Sequence, residues 1–435
     1  MITGVSYGFH DASVSMIDTS GNIHYAKDSE RYSRIKNDGD LHVDVKDLEG
    51  TTVFFEKPFR KNVRRKLYGQ CWENRERFDH YITHHWSHAS AAYYTRPFSE
   101  EPVCVVIDAI GEWDTASIWY KKKKVWSMRY PESLGLFYSA VTKSIGFKPN
   151  QDEYITMGMA AFGSPIHDYD PMLNYHRGGK FLGEEPDVAA SAQKIIEVEI
   201  MEIMKEARKY SAYLCYGGGV ALNCVANTLI HSLFDKMWIL PNPGDAGSSL
   251  GAAAAHLDKP LNWIDPYLGY DIKRTVNVKE VVAHLLSKGY CGVANGRAEF
   301  GPRALGNRSL IADPRLEIKD TINKVKKRQT FRPFAPAILS EYADEYFEGP
   351  MNEYMQFVAK AKHDYSSVTH VDGTARVQLV NPECKSILRP ILEEWYEQTG
   401  CPMLLNTSLN IKGMPIVNDE LDALEFESTY AVKVF

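Results

Sequence analysis

The sequence lacks the pairs of cysteines that would frame a secreted fold. Its seven cysteines, at 71, 104, 215, 224, 291, 384 and 401, are odd in number, and no two have Cys-x-x-Cys spacing. That pattern excludes a disulfide frame and a Cys-based zinc site, and it implies reduced thiols in a cytoplasmic protein, the host cytoplasm if the chain is viral. Long apolar runs are also missing: the small-residue block Gly251–Ala255 falls far short of the roughly 20 residues of a membrane span, so no membrane partner is expected. Met1 to Asp18 has no basic start, and His10 and Asp11 interrupt its apolar run, so it does not read as a signal peptide. Nor is there an excess of positive charge. With 50 Lys and Arg against 56 Asp and Glu the net charge is −6, which excludes a chain-wide polyanion binder while leaving room for a local basic patch. No repeat of about 20–50 residues is visible, so solenoids are excluded.

What is present is an ordinary globular chain of 435 residues, 44% apolar and 24% charged, long enough for two or three domains. Ile2–Gly8 and Ala12–Ile17 read as strands around a tight His-Asp-Ala turn. Val103 to Ile107 is the continuous apolar run of a buried strand, with Asp108 at its carboxyl end. Ala189–Tyr210 predicts a helix. Ala212–Tyr216 predicts a strand running into Gly217, Gly218 and Gly219, with a helix starting near Ala221. Alternation of strands and helices implies an α/β architecture. Composition changes near 257–275, so a boundary is expected near 270, giving units 1–270 and 271–435. Beyond it, Val278–Lys288 predicts a helix and Cys384–Gly400 a last one.

Four constellations have the residue types that chemistry needs. On a helix, His84 and His88 share one face, a two-imidazole arm for a metal; Asp108 and Asp245 offer carboxylates, and such a set suits Fe, Mn or Zn. The turn Gly217 to Asn223 offers backbone N–H groups to an anion, or is simply a tight strand-to-helix turn. Gly296 to Arg308 places Arg297, Arg303 and Arg308 among glycines, followed by Lys326, Arg328, Arg332 and Arg376; this suggests a phosphate or nucleotide pocket, against the alternative of scattered salt bridges. Lys57, Arg60, Lys61, Arg64, Arg65 and Lys66, then Tyr68 and Trp72, could track a phosphate backbone or be solvated loops.

Taken together the chain resembles the NodU/CmcH family of ATP-dependent O-carbamoyltransferases, which includes the tobramycin carbamoyltransferase. The resemblance runs through Gly8-Phe9-His10-Asp11-Ala12, Glu30 to Lys36, His84-His85-Trp86-Ser87-His88-Ala89, Asp108 to Trp113, Ser133-Leu134-Gly135 and Gly146 to Asn150. It continues through Gly218 to Asn223, Phe300 to Gly306, Phe331 to Pro336 and Leu405 to Ser408. It implies an N-terminal Kae/TsaD-like unit of the actin/hexokinase superfamily, a duplicated RNase H-like α/β fold, and a C-terminal YrdC-like α/β unit. It further implies cleavage of carbamoyl phosphate, adenylation of the carbamate by ATP with Mg, and transfer of the carbamoyl group to a hydroxyl beside an Fe or Zn site.

By motif, His84, His88, Asp108 and Asp245 form the implied metal set. Lys36, Gly218, Gly219, Val220 and Asn223 belong to the implied nucleotide site. Arg303, Lys326, Arg332, Arg376 and Ser408 belong to the implied carbamoyl phosphate and adenylation site, and Asp11 or His10 is the implied base. Several positions depart from the family pattern: Ile155 replaces a lysine, Ala109 a glycine and Gln329 a glutamate, and the stretch between Gly163 and Ala190 is thin. A compact, phage-type member with an altered acceptor side is the expectation. The expected acceptor is the hydroxymethyl group of a modified pyrimidine such as 5-hydroxymethylcytosine, in DNA or as a nucleotide. The alternatives are a sugar or antibiotic-like molecule, a plain actin/hexokinase-type ATPase or kinase, and a non-catalytic nucleotide-binding module. Homologous folds often form homodimers, but no heptad or exposed apolar stripe in the sequence decides the assembly.

Overall fold

The computed structural model describes residues 1–71, 77–173 and 179–435. They form two compact units: Met1–Ser29 with Asn37–Asp265, and Glu30–Lys36 with Pro266–Phe435.

In the first unit one strand order is written twice. The first sheet comprises β1 (Ile2–Ser6), β2 (Ser13–Ile17), β3 (Ile23–Asp28), β4 (Thr51–Phe54) and β5 (His80–Tyr81), in the order 3-2-1-4-5. The second comprises β6 (Val103–Ile107), β7 (Asp114–Tyr120), β8 (Lys123–Arg129), β9 (Tyr213–Gly217) and β10 (Lys236–Ile239), in the order 10-9-6-7-8. In each sheet the first three strands form an antiparallel meander. The fourth and fifth join parallel on the other side of the first. This is the duplication that the resemblance implies. β1 and β6 are buried along their whole length, as central strands of a sheet covered on both faces must be.

Equivalent positions in the two halves carry the candidate site residues. A helix follows the last strand of each sheet: His84–Thr95 after β5 and Gly247–Leu257 after β10. The two helices pack closely because small residues face each other. A Cβ at Gly251 would lie 1.9 Å from the Ser87 carbonyl oxygen, so only glycine permits this approach. Likewise β1 and β6 are each followed by a turn, and these turns hold His10 and Asp11 in one half, Asp108 and Glu112 in the other.

The second unit is built on a five-stranded mixed sheet. Its strands run in the order Tyr290–Ala294, Arg308–Ala312, Met403–Ser408, Ala335–Leu339 and Gln378–Val380. One face is covered by the helices Val278–Lys288 and Leu388–Thr399, through Val281, Val282, Leu285, Ile391, Leu392 and Trp395. The segment Glu30–Lys36 is far away in sequence but belongs here. Arg31 is buried and donates to the carbonyls of Glu299, Gly301 and Val417, and Arg34 to those of Pro415 and Ile416.

Some local expectations need correction. The helix expected over Cys384–Gly400 begins only at Leu388, and it is not the last, since Glu420–Tyr430 follows. Asp419 caps that final helix by accepting from Asp422 N, yet leucines 421 and 424 are exposed, so the sequence carries no clear apolar stripe there. The basic stretch is neither loop nor hairpin: Pro58–Leu67 is a helix, with proline in its first turn. All seven cysteines are free.

Candidate functional site

The first cluster lies within the first unit. His84 and His88 stand one turn apart on their helix, Asp108 follows the end of β6, and Asp245 sits just before the helix after β10. One ligand atom from each lies within 4.8 Å of the others. His84 Nε2 is 2.9 Å from Asp108 Oδ2 and 3.5 Å from Asp245 Oδ1. His88 Nε2 is 3.3 Å from Asp108 Oδ2, 3.2 Å from Asp245 Oδ1 and 3.1 Å from His84 Nε2. Donors around a first-row transition ion at about 2.1 Å are separated by roughly 3.0–3.4 Å, so this N₂O₂ set fits an ion such as Zn or Fe. Without a cation the carboxylates hold protons on the imidazoles instead. Burial opposes this, but hydrogen bonds to Asp108 and Asp245 outweigh it and push His88 up to about 10.

The neighbouring residues fix the geometry. His88 Nδ1 donates to the Pro243 carbonyl at 3.0 Å, with Ser248 Oγ also 3.1 Å away, which turns Nε2 toward the cluster. Buried Glu112 accepts from the backbone N of His84 (3.1 Å) and of Lys57 (2.8 Å), holding the first turn of the histidine helix. Sequence reading assigned Glu112 no role. Its signal was a lone acid placed four residues beyond Asp108.

The glycine turn is tied into the same cluster. Gly218 has φ +91°, and a Cβ there would sit 2.3 Å from the Ile107 carbonyl oxygen. Its N–H donates to Pro243 O at 2.9 Å, and that of Gly219 to Asp108 Oδ1 at 3.2 Å. Those two amides are therefore engaged within the protein. Val220 follows in a 3₁₀ turn. Asn223 caps the helix Cys224–His231 through Ala226 N and exchanges hydrogen bonds with Gln193, so both ends of its amide are committed. His10 Nδ1 lies 2.8 Å from Asp11 Oδ2, and Asn37 Nδ2 holds the other Asp11 oxygen at 2.9 Å. Burial alone would hold the His10 pKa down; the hydrogen bond and charge of Asp11 outweigh it and raise it to about 9.

The second cluster lies within the second unit. Lys326 is only 4% exposed. Its Nζ donates to the Ser408 carbonyl, to Ser408 Oγ (3.3 Å), and to Asn410 O (2.9 Å) and Oδ1 (3.0 Å). Among the described residues no carboxylate pairs with it. Burial, together with the charges of Arg328 and Arg332, holds its pKa well below the usual lysine range. A buried lysine held by neutral acceptors beside two arginines makes this a candidate anion-binding cluster. Asn410, which sequence reading missed, also accepts from Ser408 Oγ at 2.6 Å. Lys36 belongs to this unit, where its Nζ lies 2.8 Å from Glu30 Oε2. Arg303, Arg332 and Arg376 are partly buried. Arg308, in contrast, is fully buried with donors spent on the carbonyls of Tyr270, Asn295, Gly296, Asn307 and Asn418, a structural arginine.

The basic helix turns part of its charge inward. Arg64 is buried and Lys61 pairs with Glu56 at 3.0 Å, whereas Arg65 donates to the Cys71 carbonyl at the surface. Trp72 lies outside the described residues.

Family comparison decides the class of chemistry. Residues 46–177 and 172–254 match the family described as carbamoyltransferase N-terminus, and 282–435 match carbamoyltransferase C-terminus. The chain belongs to the carbamoyltransferase family. This carbamoyltransferase is 30% identical to the uncharacterized protein sll1178 of Synechocystis, over 97% of this chain and 93% of that one. It is 32% identical to nodulation protein NolO of Bradyrhizobium diazoefficiens, over 79% of this chain and 75% of that one. Among solved structures, the activator of 2-hydroxyisocaproyl-CoA dehydratase from Clostridium difficile aligns with TM-score 0.40 and 12% identity, over 59% of this chain and 94% of that chain. Full-length HypF aligns with TM-score 0.35 and 13% identity, over 59% and 46%. No described helix of the carbamoyltransferase is long and apolar enough to cross a membrane.

Proposed function

We propose that this carbamoyltransferase uses carbamoyl phosphate and ATP to carbamoylate an acceptor hydroxyl by way of carbamoyl adenylate. The observation that carries the first half is the caged Lys326 beside Arg328 and Arg332. In this reading Lys326, Arg303, Arg332 and Arg376 hold the phosphate of carbamoyl phosphate while water cleaves its anhydride bond, giving carbamate and inorganic phosphate. They then hold the α-phosphate of ATP, as Mg complex, while a carbamate oxygen attacks phosphorus and pyrophosphate departs. Both steps move negative charge, which fixed cations stabilise. Ser408 and Asn410 hold the lysine in place, and Lys36 joins the nucleotide contacts. Carbamate decomposes readily in water, so forming and consuming it inside protein protects it.

For the second half, the acceptor oxygen attacks the carbamoyl carbon, AMP leaves, and the hydroxyl proton passes to a base. In this reading Asp11 or His10 is that base, supported by the hydrogen bond between them, through which Asp11 orients the imidazole. His84, His88, Asp108 and Asp245 would hold an Fe or Zn ion, which supplies a Lewis acid for a carbonyl or phosphate oxygen. The 218–220 turn shapes the adjoining backbone.

The acceptor reading shifts with the fold of the basic stretch. Tracking of a DNA duplex drew on six cations, and two of them, Lys61 and Arg64, are turned inward. A small hydroxylated acceptor, either a free hydroxymethylpyrimidine nucleotide or a sugar-like molecule, therefore gains support over a duplex.

The test is pyrophosphate release from ATP with and without carbamoyl phosphate, in the absence of acceptor. Release that depends on carbamoyl phosphate supports the adenylating half. Release of ADP or phosphate without it would make the protein a kinase or ATPase instead. Product analysis after adding 5-hydroxymethyl-dCMP, hydroxymethylated DNA or aminoglycosides then identifies the acceptor.

A further inference from the structure

The helix Pro58–Leu67 is inside out. Phe59, Val63 and Leu67 follow one another at four-residue steps, so they line one side of the helix over about 12 Å. That side faces outward: Phe59 is 70% exposed, Val63 36% and Leu67 70%. The inward side is polar, with Asn62 3% and Arg64 7% exposed, and with Lys61 reaching Glu56. A helix on a soluble protein ordinarily turns its apolar stripe to the core and its charges to water. Here the reverse holds, and the helix is fixed so: Lys57, its cap, donates to buried Glu112, and the Arg64 guanidinium lies 5.5 Å from the Tyr130 ring centre.

We propose that this face docks on an anionic lipid surface. Two observations choose that occupant. Arg60 and Lys66 are exposed beside the apolar line, and the helix has no acidic residue, in a chain of net charge −6; the complement is therefore anionic as well as apolar. The apolar side chains project from a single helix, which suits a deformable interface where such helices lie with their apolar side among the acyl chains. A polyanion such as DNA would instead call on the cations that are turned inward. Docking of this kind is surface association without a spanning segment. It stands independently of the reaction proposed above.

Co-sedimentation of the full-length protein with vesicles tests it. Vesicles of phosphatidylcholine containing phosphatidylglycerol bind the wild type, vesicles of phosphatidylcholine alone bind it weakly, and added salt reduces the difference. The double variant Phe59→Ser/Leu67→Ser loses about tenfold or more in partitioning. The variant Arg60→Ser/Lys66→Ser loses roughly thirtyfold on the anionic vesicles and little on the neutral ones. All four positions are exposed, so thermal melting and carbamoyl-phosphate-dependent pyrophosphate release remain as in the wild type. The proposal is overturned if the wild type does not sediment with anionic vesicles, or if the Phe59/Leu67 variant sediments equally well. It is also overturned if duplex DNA is bound instead and only the charge variant loses that binding.

Discussion

His88 Nδ1 and the carbonyl oxygen of Pro243 are 3.0 Å apart, and since a carbonyl can only accept, the ring nitrogen is the donor. That one bond orients Nε2 of His88 toward Asp108, Asp245 and His84. The same oxygen also accepts from Gly218 N. A single carbonyl therefore ties the histidine helix to the glycine turn.

Metal analysis follows from this. The purified protein is expected to hold about one transition ion per chain, and His84→Ala or Asp108→Asn is expected to lose it. Ser248→Ala, which removes only the hydroxyl beside His88 Nδ1, lowers metal affinity about tenfold without removing a ligand. Metal content by elemental analysis, and competition with a chelator, read both effects. Full affinity in Ser248→Ala would show that the carbonyl alone orients the ring.

Glu112→Gln keeps the size of the side chain but removes a negative charge at the start of the His84–Thr95 helix, where the helix dipole favours an anion. We expect a loss of about 1 kcal/mol in stability and a measurable fall in metal retention. Denaturant unfolding and metal content test these separately. A stability loss with metal retention intact would confine Glu112 to helix capping.

Lys326→Met removes a buried cation from a cage of neutral acceptors. Carbamoyl-phosphate-dependent pyrophosphate release is abolished, while unfolding stability at pH 7 rises. The sign comes from linkage. The folded-state pKa lies below the unfolded value near 10.5, so in that interval the unfolded chain binds the extra proton and wild-type stability increases with pH. The advantage of the methionine variant therefore shrinks as pH approaches 10.5. An advantage independent of pH would show that the folded-state pKa is not lowered, the lysine binding its proton equally in the folded and unfolded chain.

His10 titrates at about 9, so at neutral pH its imidazole is mostly protonated and its role as a base grows with pH. Turnover with acceptor should climb up to about pH 9. Asp11→Asn removes the charge that raises the value, so the midpoint moves down toward 6.5. If the midpoint stays in place in Asp11→Asn, some other group limits transfer. His10→Ala then distinguishes a base, whose loss removes the pH dependence, from a bystander.

Much of the architecture was legible where one physical signal dominated. Val103–Ile107 is apolar without interruption and could only be a buried strand. Val278–Lys288 has helical periodicity between Asn277, whose side chain caps it, and Gly289, whose left-handed backbone ends it. The final helix Glu420–Tyr430 escaped notice because exposed leucines blur its pattern. The basic stretch was misjudged because charge suggests solvent, whereas Glu56, Glu112 and Tyr130 draw its polar side inward.

The sequence by itself determined the class: ordered motifs across the chain mark a carbamoyltransferase, and the four-residue step from His84 to His88 places both rings on one helical face. The sequence could not bring Asp108, 24 residues from His84, or Asp245, 157 residues from His88, to the same point. That was decided by the duplicated sheets, which set equivalent turns and helices against one another, and by Gly251, whose missing side chain lets the two helices approach. Local propensity acts over a few residues, whereas a ligand set assembled from several elements exists only once the core has packed.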